Sequence, residues 1–261
     1  LGPMARTPAD LVALLGTQAG PDPRLNRMSR LDHGTLRGLR LGWLGDWGGA
    51  YPMEPGILDL CQTAMAQMAQ AGAVLRDLPA PYAASDIWSA WVRLRQWEVA
   101  TLKAPLYEYP DKRAALKPAA LWEISQGRAL SAQDIHDASA LRTGWAQAAQ
   151  ALFAEHDALI LPAAQVWPFD KTLVHPTEIA GQAMDTYHRW MEVVVPASVL
   201  GLPAVSVPVG FGGQGACAGL PMGVQIIGPP GSDARLLQIA QCWHRLTGWS
   251  DHAPACVTSL A

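Results

Sequence analysis

Charge is scarce in this chain. Asp, Glu, Lys and Arg make up 16% of its 261 residues, the net charge is -3, and lysine occurs only at Lys103, Lys112, Lys117 and Lys171. Such a chain lacks the basic footprint that a nucleic-acid backbone or an anionic membrane surface requires, so neither is expected as a partner. A small neutral or mixed substrate is expected instead. Cysteine is sparse too: Cys61, Cys217, Cys242 and Cys256 lie far apart, with no Cys-x-x-Cys or Cys/His ligand spacing. That excludes a zinc motif and a dense disulfide framework, and the four read as isolated thiols of a reducing compartment. No window reaches the roughly 18 uninterrupted apolar residues of a membrane span, and no basic segment followed by an apolar run opens the chain. A cytoplasmic location is expected.

The commoner catalytic signatures are also missing. There is no Gly-x-Ser-x-Gly elbow, no Ser-x-x-Lys and no His-Glu-x-x-His, and no lysine sits beside a Ser-rich Gly loop. The seven histidines do not cluster at ligand spacings, so His188 and His244 read as surface or hydrogen-bonded structural residues. Neither a metal nor a cofactor is expected. The run Gly228-Pro229-Pro230-Gly231-Ser232-Asp233 lies where a phosphate could meet a helix N-terminus. Its prolines remove backbone donors and Asp233 would repel an anion, so a plain turn with Ser232 as helix cap is the reading. A nucleotide-binding domain resting on this loop is the weakest of the functional alternatives.

What is present is a core-forming composition, 50% hydrophobic, arranged in α/β order. Thr7, Pro8 and Asp10 start a helix with an apolar stripe Leu11, Leu14, Leu15, ending at Gly16. Arg24 to Thr35 is loop-like. Residues 36–44 predict a strand, Glu54 to Gln70 a helix closed by Gly72, and residues 73–78 a second strand. This strand–helix–strand order with short turns predicts a crossover unit in a mostly parallel sheet. Ser85 to Leu130 is helical and Trp-rich, and Ser131 with Asp134 starts a long helix carrying Ala138, Leu141, Trp145 and Leu152 on one face. Residues 157–162 predict a buried strand. A helix falls within Gly181 to Leu200, strands at 203–209 and 221–227, and a last helix after Ser232 carries Leu236, Leu237, Ile239, Ala240 and Trp243. The pair Gly201-Leu202-Pro203 and Gly219-Leu220-Pro221 reads as two turns that launch buried strands.

Four pieces in order are similar to the amidase-signature family. They are Gly2-Pro3-Met4-Ala5-Arg6-Thr7 with Ala9-Asp10; Leu36-Arg37-Gly38-Leu39-Arg40 with Gly42; residues 157–162; and the stretch from Ala197 to Ala240. The resemblance implies an α/β/α sandwich around a large mixed sheet. It also implies amide hydrolysis by a Ser, a second Ser on a cis peptide, and a Lys, all preceding the Gly-Pro-Met-Ala-Arg segment. That segment starts at residue 2 and Leu1 is not an initiator, so no catalytic residue is expected in this chain, and an upstream part is expected to have been removed. On this reading residues 1–261 are the C-terminal part of one domain, with a helical excursion around 83–157, and the isolated chain is inactive. Its partners would be a small-molecule amide and the missing segment or a chain supplying it, and a homodimer stays open. The different-class alternative is a non-catalytic binding or assembly subunit with the same half-fold.

The resemblance also implies that the helix before Ala197 faces the acyl-binding channel. Spacings of 3 and 4 put Tyr187, Trp190, Met191 and Val194 on one helical face, as a pocket lining or as ordinary core. Trp167 and Phe169, just beyond the strand at 157–162, are further candidates for substrate binding.

Overall fold

The computed structural model describes residues 2–20, 31 and 34–249. Most of the expected loop from Arg24 to Thr35, and Cys256, lie outside the described residues. The chain opens with helix α1 (Pro8–Ala19), where Thr7 accepts a bond from the Asp10 amide at 3.1 Å and donates to its carboxylate at 2.7 Å. Gly16 does not stop this helix, which runs on to Ala19. Strand β1 (Arg40–Trp43), helix α2 (Ile57–Gln70) and strand β2 (Val74–Asp77) come next, with β1 and β2 paired in parallel. Strand β1 is shorter than the expected 36–44 because residues 36–39 form a turn, the Leu39 amide donating to Leu36 and the Gly38 amide to Gly72.

Four helices succeed them: α3 (Ala84–Tyr107), α4 (Pro110–Ala114), α5 (Pro118–Ala129) and α6 (Ala132–Glu155). Helix α6 carries the reciprocal box expected of Ser131 and Asp134. Gly127 lets α5 lie directly on α3, since a Cβ there would stand 2.0 Å from the Gln96 carbonyl oxygen. Strand β3 (Ala158–Pro162) is buried throughout and pairs in parallel with β1.

The helix expected within Gly181 to Leu200 is confined to its second half. A two-strand hairpin, β4 (Glu178–Ile179) and β5 (Gln182–Ala183), occupies the start, turning through Ala180 (φ 49) and Gly181 (φ 83) in the left-handed region that glycine favours. A 3₁₀ helix (Arg189–Val194), kinked at Met191 (φ -114, ψ 23), then leads into α7 (Val195–Leu200). Tyr187 therefore precedes the helix, and Met191 breaks the regular spacing assumed for a single face.

Strands β6 (Ala204–Phe211) and β7 (Pro221–Ile227) form an antiparallel pair, and helix α8 (Asp233–Thr247) closes the described fold. Ser232 stands at the α8 N-cap position but makes no capping bond, because its ψ of 10 is not the extended conformation that aims a hydroxyl at the helix amides. The sheet order is β2-β1-β3-β7-β6. Since β7 is antiparallel to both neighbours, four of the five strands run the same way.

Alternation along the strands fills two cores. Leu41, Trp43, Ala158, Ile160, Val224 and Ile226 face α2 and α8, while Leu159, Leu161 and Ile227 face α3, α6 and α7. The result is the α/β/α layering that the family resemblance implies. Among the described residues no helix is long and apolar enough to cross a membrane.

Candidate functional site

The C-terminal end of β3 is where several elements converge. Beyond Pro162 the chain leaves the sheet, the Ala163 amide donating to the Gly223 carbonyl at 2.9 Å. Two glutamines hold the departing segment. Gln165, fully buried, donates to Pro52 O at 3.1 Å and accepts from the Val193 amide at 3.0 Å. Gln225, on β7, donates to both Pro162 O and Val193 O at 3.0 Å. A side-chain amide suits this task because it donates and accepts at once without a charge to desolvate. Together the pair ties the 163–167 segment, the 3₁₀ helix and the 52–55 segment to the sheet.

Glu54 completes the frame: its carboxylate accepts from the Trp167 amide at 2.6 Å, while the Trp167 indole donates to Pro55 O at 3.1 Å. Trp167 is thus fixed at both backbone and ring. Across from it Phe169 and Trp190 meet edge to face, with centroids 5.4 Å apart and planes at 86°. These three rings, with Ser206, Val207 and Met222, line an open cleft of about 430 Å³. Gly223 keeps its floor low, since a Cβ there would sit 2.9 Å from Val207 O. The Trp190 indole nitrogen is enclosed and has no acceptor among the described residues.

The structure thus places Trp167, Phe169 and Trp190 together at the cleft. It puts Tyr187, Met191 and Val194 elsewhere. Tyr187 is exposed, edge-on to His175 and His188; Met191 marks the kink; Val194 packs against the core on the α3/α6 side. Gln165, Gln225 and Glu54 carry no role in the sequence reading. The signal for the two glutamines is a lone amide in each of two apolar runs, Leu161 to Trp167 and Val224 to Ile227.

Behind the 3₁₀ helix lies a second polar group. Buried Glu123 on α5 pairs with Arg95 at 2.6 Å and with His188 at 3.5 Å. Burial holds the His188 pKa below the ordinary histidine value, with Arg95 and His175 pushing the same way and Glu123 opposing. Arg189 pairs with Asp185 at 2.9 Å and Glu192 at 3.1 Å, and its guanidinium stacks 4.1 Å above Trp88. Burial raises the Glu192 pKa despite Arg189. The Gly228 to Ser232 run is a turn whose Gly228 and Ser232 amides donate to Pro203 and Pro229. Cys61, Cys217 and Cys242 are free, and burial pushes the Cys61 thiol up to about 12. Among the described residues no three His, Cys, Asp or Glu side chains could hold a metal.

The model of the family described as Amidase matches residues 1–237. The chain is 29% identical to one subunit of the glutamyl-tRNA(Gln) amidotransferase of Chloroflexus aurantiacus, over 98% of this chain and 56% of that one. It is 24% identical to an acylamidase of Rhodococcus erythropolis, over 97% and 54% of the two chains. In fold it resembles the crystal structure of a bacterial aryl acylamidase of the amidase-signature enzymes, with a TM-score of 0.81 at 24% identity, covering 96% of this chain and 53% of that one. The chain spans about half the length of the curated relatives it matches.

Proposed function

The chain belongs to the amidase family, and on that premise we propose that residues 1–261 are the C-terminal part of one amidase domain that hydrolyses carboxylic amides. The observation that carries this is the family match over residues 1–237 in a chain that spans only 56% of a curated relative. In this reading the nucleophile is supplied by the part of the relatives' length that this chain does not span, and the helices around 83–157 are an excursion from the same domain.

The chemistry is acyl transfer. A serine oxygen attacks the amide carbon while its proton passes through a second serine to a lysine. The C–N bond breaks, the nitrogen leaves with a proton as ammonia or an amine, and water cleaves the acyl-serine ester to release the acid and free the serine. This chain contributes no reacting group. Its cleft at Trp167, Phe169 and Trp190 supplies one wall of the substrate site, held by Gln165 and Gln225.

The test is to assay the 261-residue chain alone and joined to the serine-bearing segment. Amide hydrolysis by the joined form alone, abolished by a serine-directed sulfonyl fluoride, is the expected result. Turnover by the isolated chain, or a joined form that stays inactive, would sink the reading; the latter outcome would favour an assembly subunit.

A further inference from the structure

We infer that Glu123 is a positioning residue for the amide site: through His188 it fixes the segment that carries Trp190, so that α5, outside the sheet, sets one wall of the cleft. This rests on the amidase reading above and adds a residue to it. Trp190 stands between two tethers. On its C-terminal side the Val193 amide and carbonyl are held by Gln165 and Gln225, which carry no charge. On its N-terminal side the tether is ionic. Glu123, 6% exposed, accepts from Arg95 Nε at 2.6 Å and faces His188 Nε2 at 3.5 Å. His188 stands at the cap of the 3₁₀ helix, its carbonyl accepting from the Met191 amide at 3.1 Å, and Trp190 is the second residue of that helix.

A carboxylate at this depth is costly unless it is paired. The Arg95 guanidinium already pairs it, with contacts at 2.6 and 3.4 Å. The second partner is therefore not needed to neutralise the charge. What the His188 contact adds is a defined place for an irregular segment beside α5. Glu123 from α5, Arg95 and the Trp91 ring from α3, His175 from the segment after β3, and the neighbouring Tyr187 all face His188. Arg189, next in the chain, is occupied by Asp185 and Glu192. Of these groups Glu123 favours a proton on His188, whereas burial, Arg95 and His175 oppose it. A protonated ring thus favours arrangements in which it reaches water, and the tether weakens as pH falls below the ordinary histidine value near 6.5. The glutamine tether has no group that titrates there.

The experiment uses the complete enzyme, this chain with its serine-bearing segment, with acetamide and benzamide as probes, and reads KM and kcat from pH 7.5 to 5.5. Trp190 is followed in the same samples by fluorine NMR of 5-fluorotryptophan, its resonance assigned with Trp190→Phe. KM is expected to rise roughly three- to tenfold over that range as the Trp190 resonance shifts. His188→Gln, which does not titrate, is expected to remove both responses. Glu123→Gln is expected to move the Trp190 resonance and raise KM about threefold already at pH 7.5, with kcat changed less than about twofold. It is also expected to steepen the rise toward acid, because it removes the group that favours the His188 proton; Glu123→Asp, which keeps the charge, recovers part of both effects. A merely structural Glu123 would lower stability and leave the pH response of KM as it was. A KM that does not rise, a rise that persists in His188→Gln, or a Trp190 resonance unmoved in Glu123→Gln overturns the positioning role and leaves the amidase reading standing. If Glu123→Gln does not fold, the His188→Gln measurements decide alone. Turnover of neither amide overturns both.

Discussion

On one side of the sheet α2 and α8 bury Ile57, Cys61, Met65, Met68, Leu236, Ile239 and Trp243, and neither helix buries a charged side chain, the main buried polar bond there running from the Trp243 indole to Pro208 O at 2.7 Å. On the other side α3 and α5 bury Gln96 and Glu123, and the segment that leads into α7 buries His188 and Glu192. The first face packs regular elements and buries no ion pair. The second holds an irregular stretch, hairpin then kinked 3₁₀ helix, whose position no regular hydrogen-bond ladder dictates. Glu123, His188 and Glu192, each with a defined partner, help to supply that position for the stretch that carries Trp190.

This contrast breaks most visibly where the second face is still apolar. Trp145 on α6 is 2% exposed, packs edge-on to Trp47 at 5.4 Å and donates from its indole to Pro196 O at 2.9 Å. Trp145→Ala is expected to lower stability by about 3–5 kcal/mol, read by denaturant unfolding, because it opens a cavity and removes the indole donor to Pro196 O in the first turn of α7. Met65→Ala on the opposite face removes no hydrogen bond, and its loss should be smaller, about 2–3 kcal/mol. Equal losses would show that the polar tether to Pro196 adds nothing.

Gln225→Leu sharpens the comparison at the clamp itself. The change keeps most of the volume but leaves Pro162 O and Val193 O without their donor, an expected loss of about 2–3 kcal/mol. In the complete enzyme it should also raise KM for an amide substrate, since Val193 anchors the segment that carries Trp190. A variant with lowered stability and unchanged KM would separate the clamp from the cleft.

The His188 cluster gives a pH signature that the apolar face cannot. Burial lowers the folded-state pKa of His188, so the unfolded chain takes up the proton first. The sign is then fixed: its contribution to stability is present above the ordinary histidine value near 6.5 and is lost as pH falls through the lower folded value. Melting temperature measured from pH 7.5 to 5.5 should fall, and His188→Gln should flatten that fall. Burial raises the Glu192 pKa, so Glu192 opposes this trend at acid pH, and Glu192→Gln is expected to steepen the fall.

Legibility in the sequence divides along the same line. The α2 and α8 stripes and the buried run at β3 repeat with the period of their elements, and the sequence pattern locates each to within a few residues. The stretch from Gly181 to Leu200 contains as much apolar character, yet only its second half is helical, since Gly181 accommodates a turn and Met191 sits at a kink. Trp190 is a candidate through the resemblance and a helical face shared with Tyr187, Met191 and Val194, and Trp167 by its place just beyond β3; Trp167 and Trp190 line the cleft, and the other three do not. Gln165 and Gln225 escape a sequence reading because their partners are backbone carbonyls and an amide far away in the chain, which no local period encodes.

The smallest effect is also the sharpest on local chemistry, because it sets two serines at the same kind of position against each other. Ser131 has an extended backbone, φ -83 and ψ 165, so its hydroxyl accepts from the Asp134 amide while Asp134 bonds back to the Ser131 amide. Ser232 has φ -87 and ψ 10; its hydroxyl is enclosed and has no partner among the described residues. Ser131→Ala should therefore lower stability by about 1 kcal/mol. Ser232→Ala removes a buried hydroxyl that satisfies nothing, and the expected change is between zero and a gain of about 1 kcal/mol. Paired thermal melts decide it: a loss in Ser232→Ala matching that in Ser131→Ala would mean that residue type alone makes a cap. The expected difference in sign would mean that backbone conformation does.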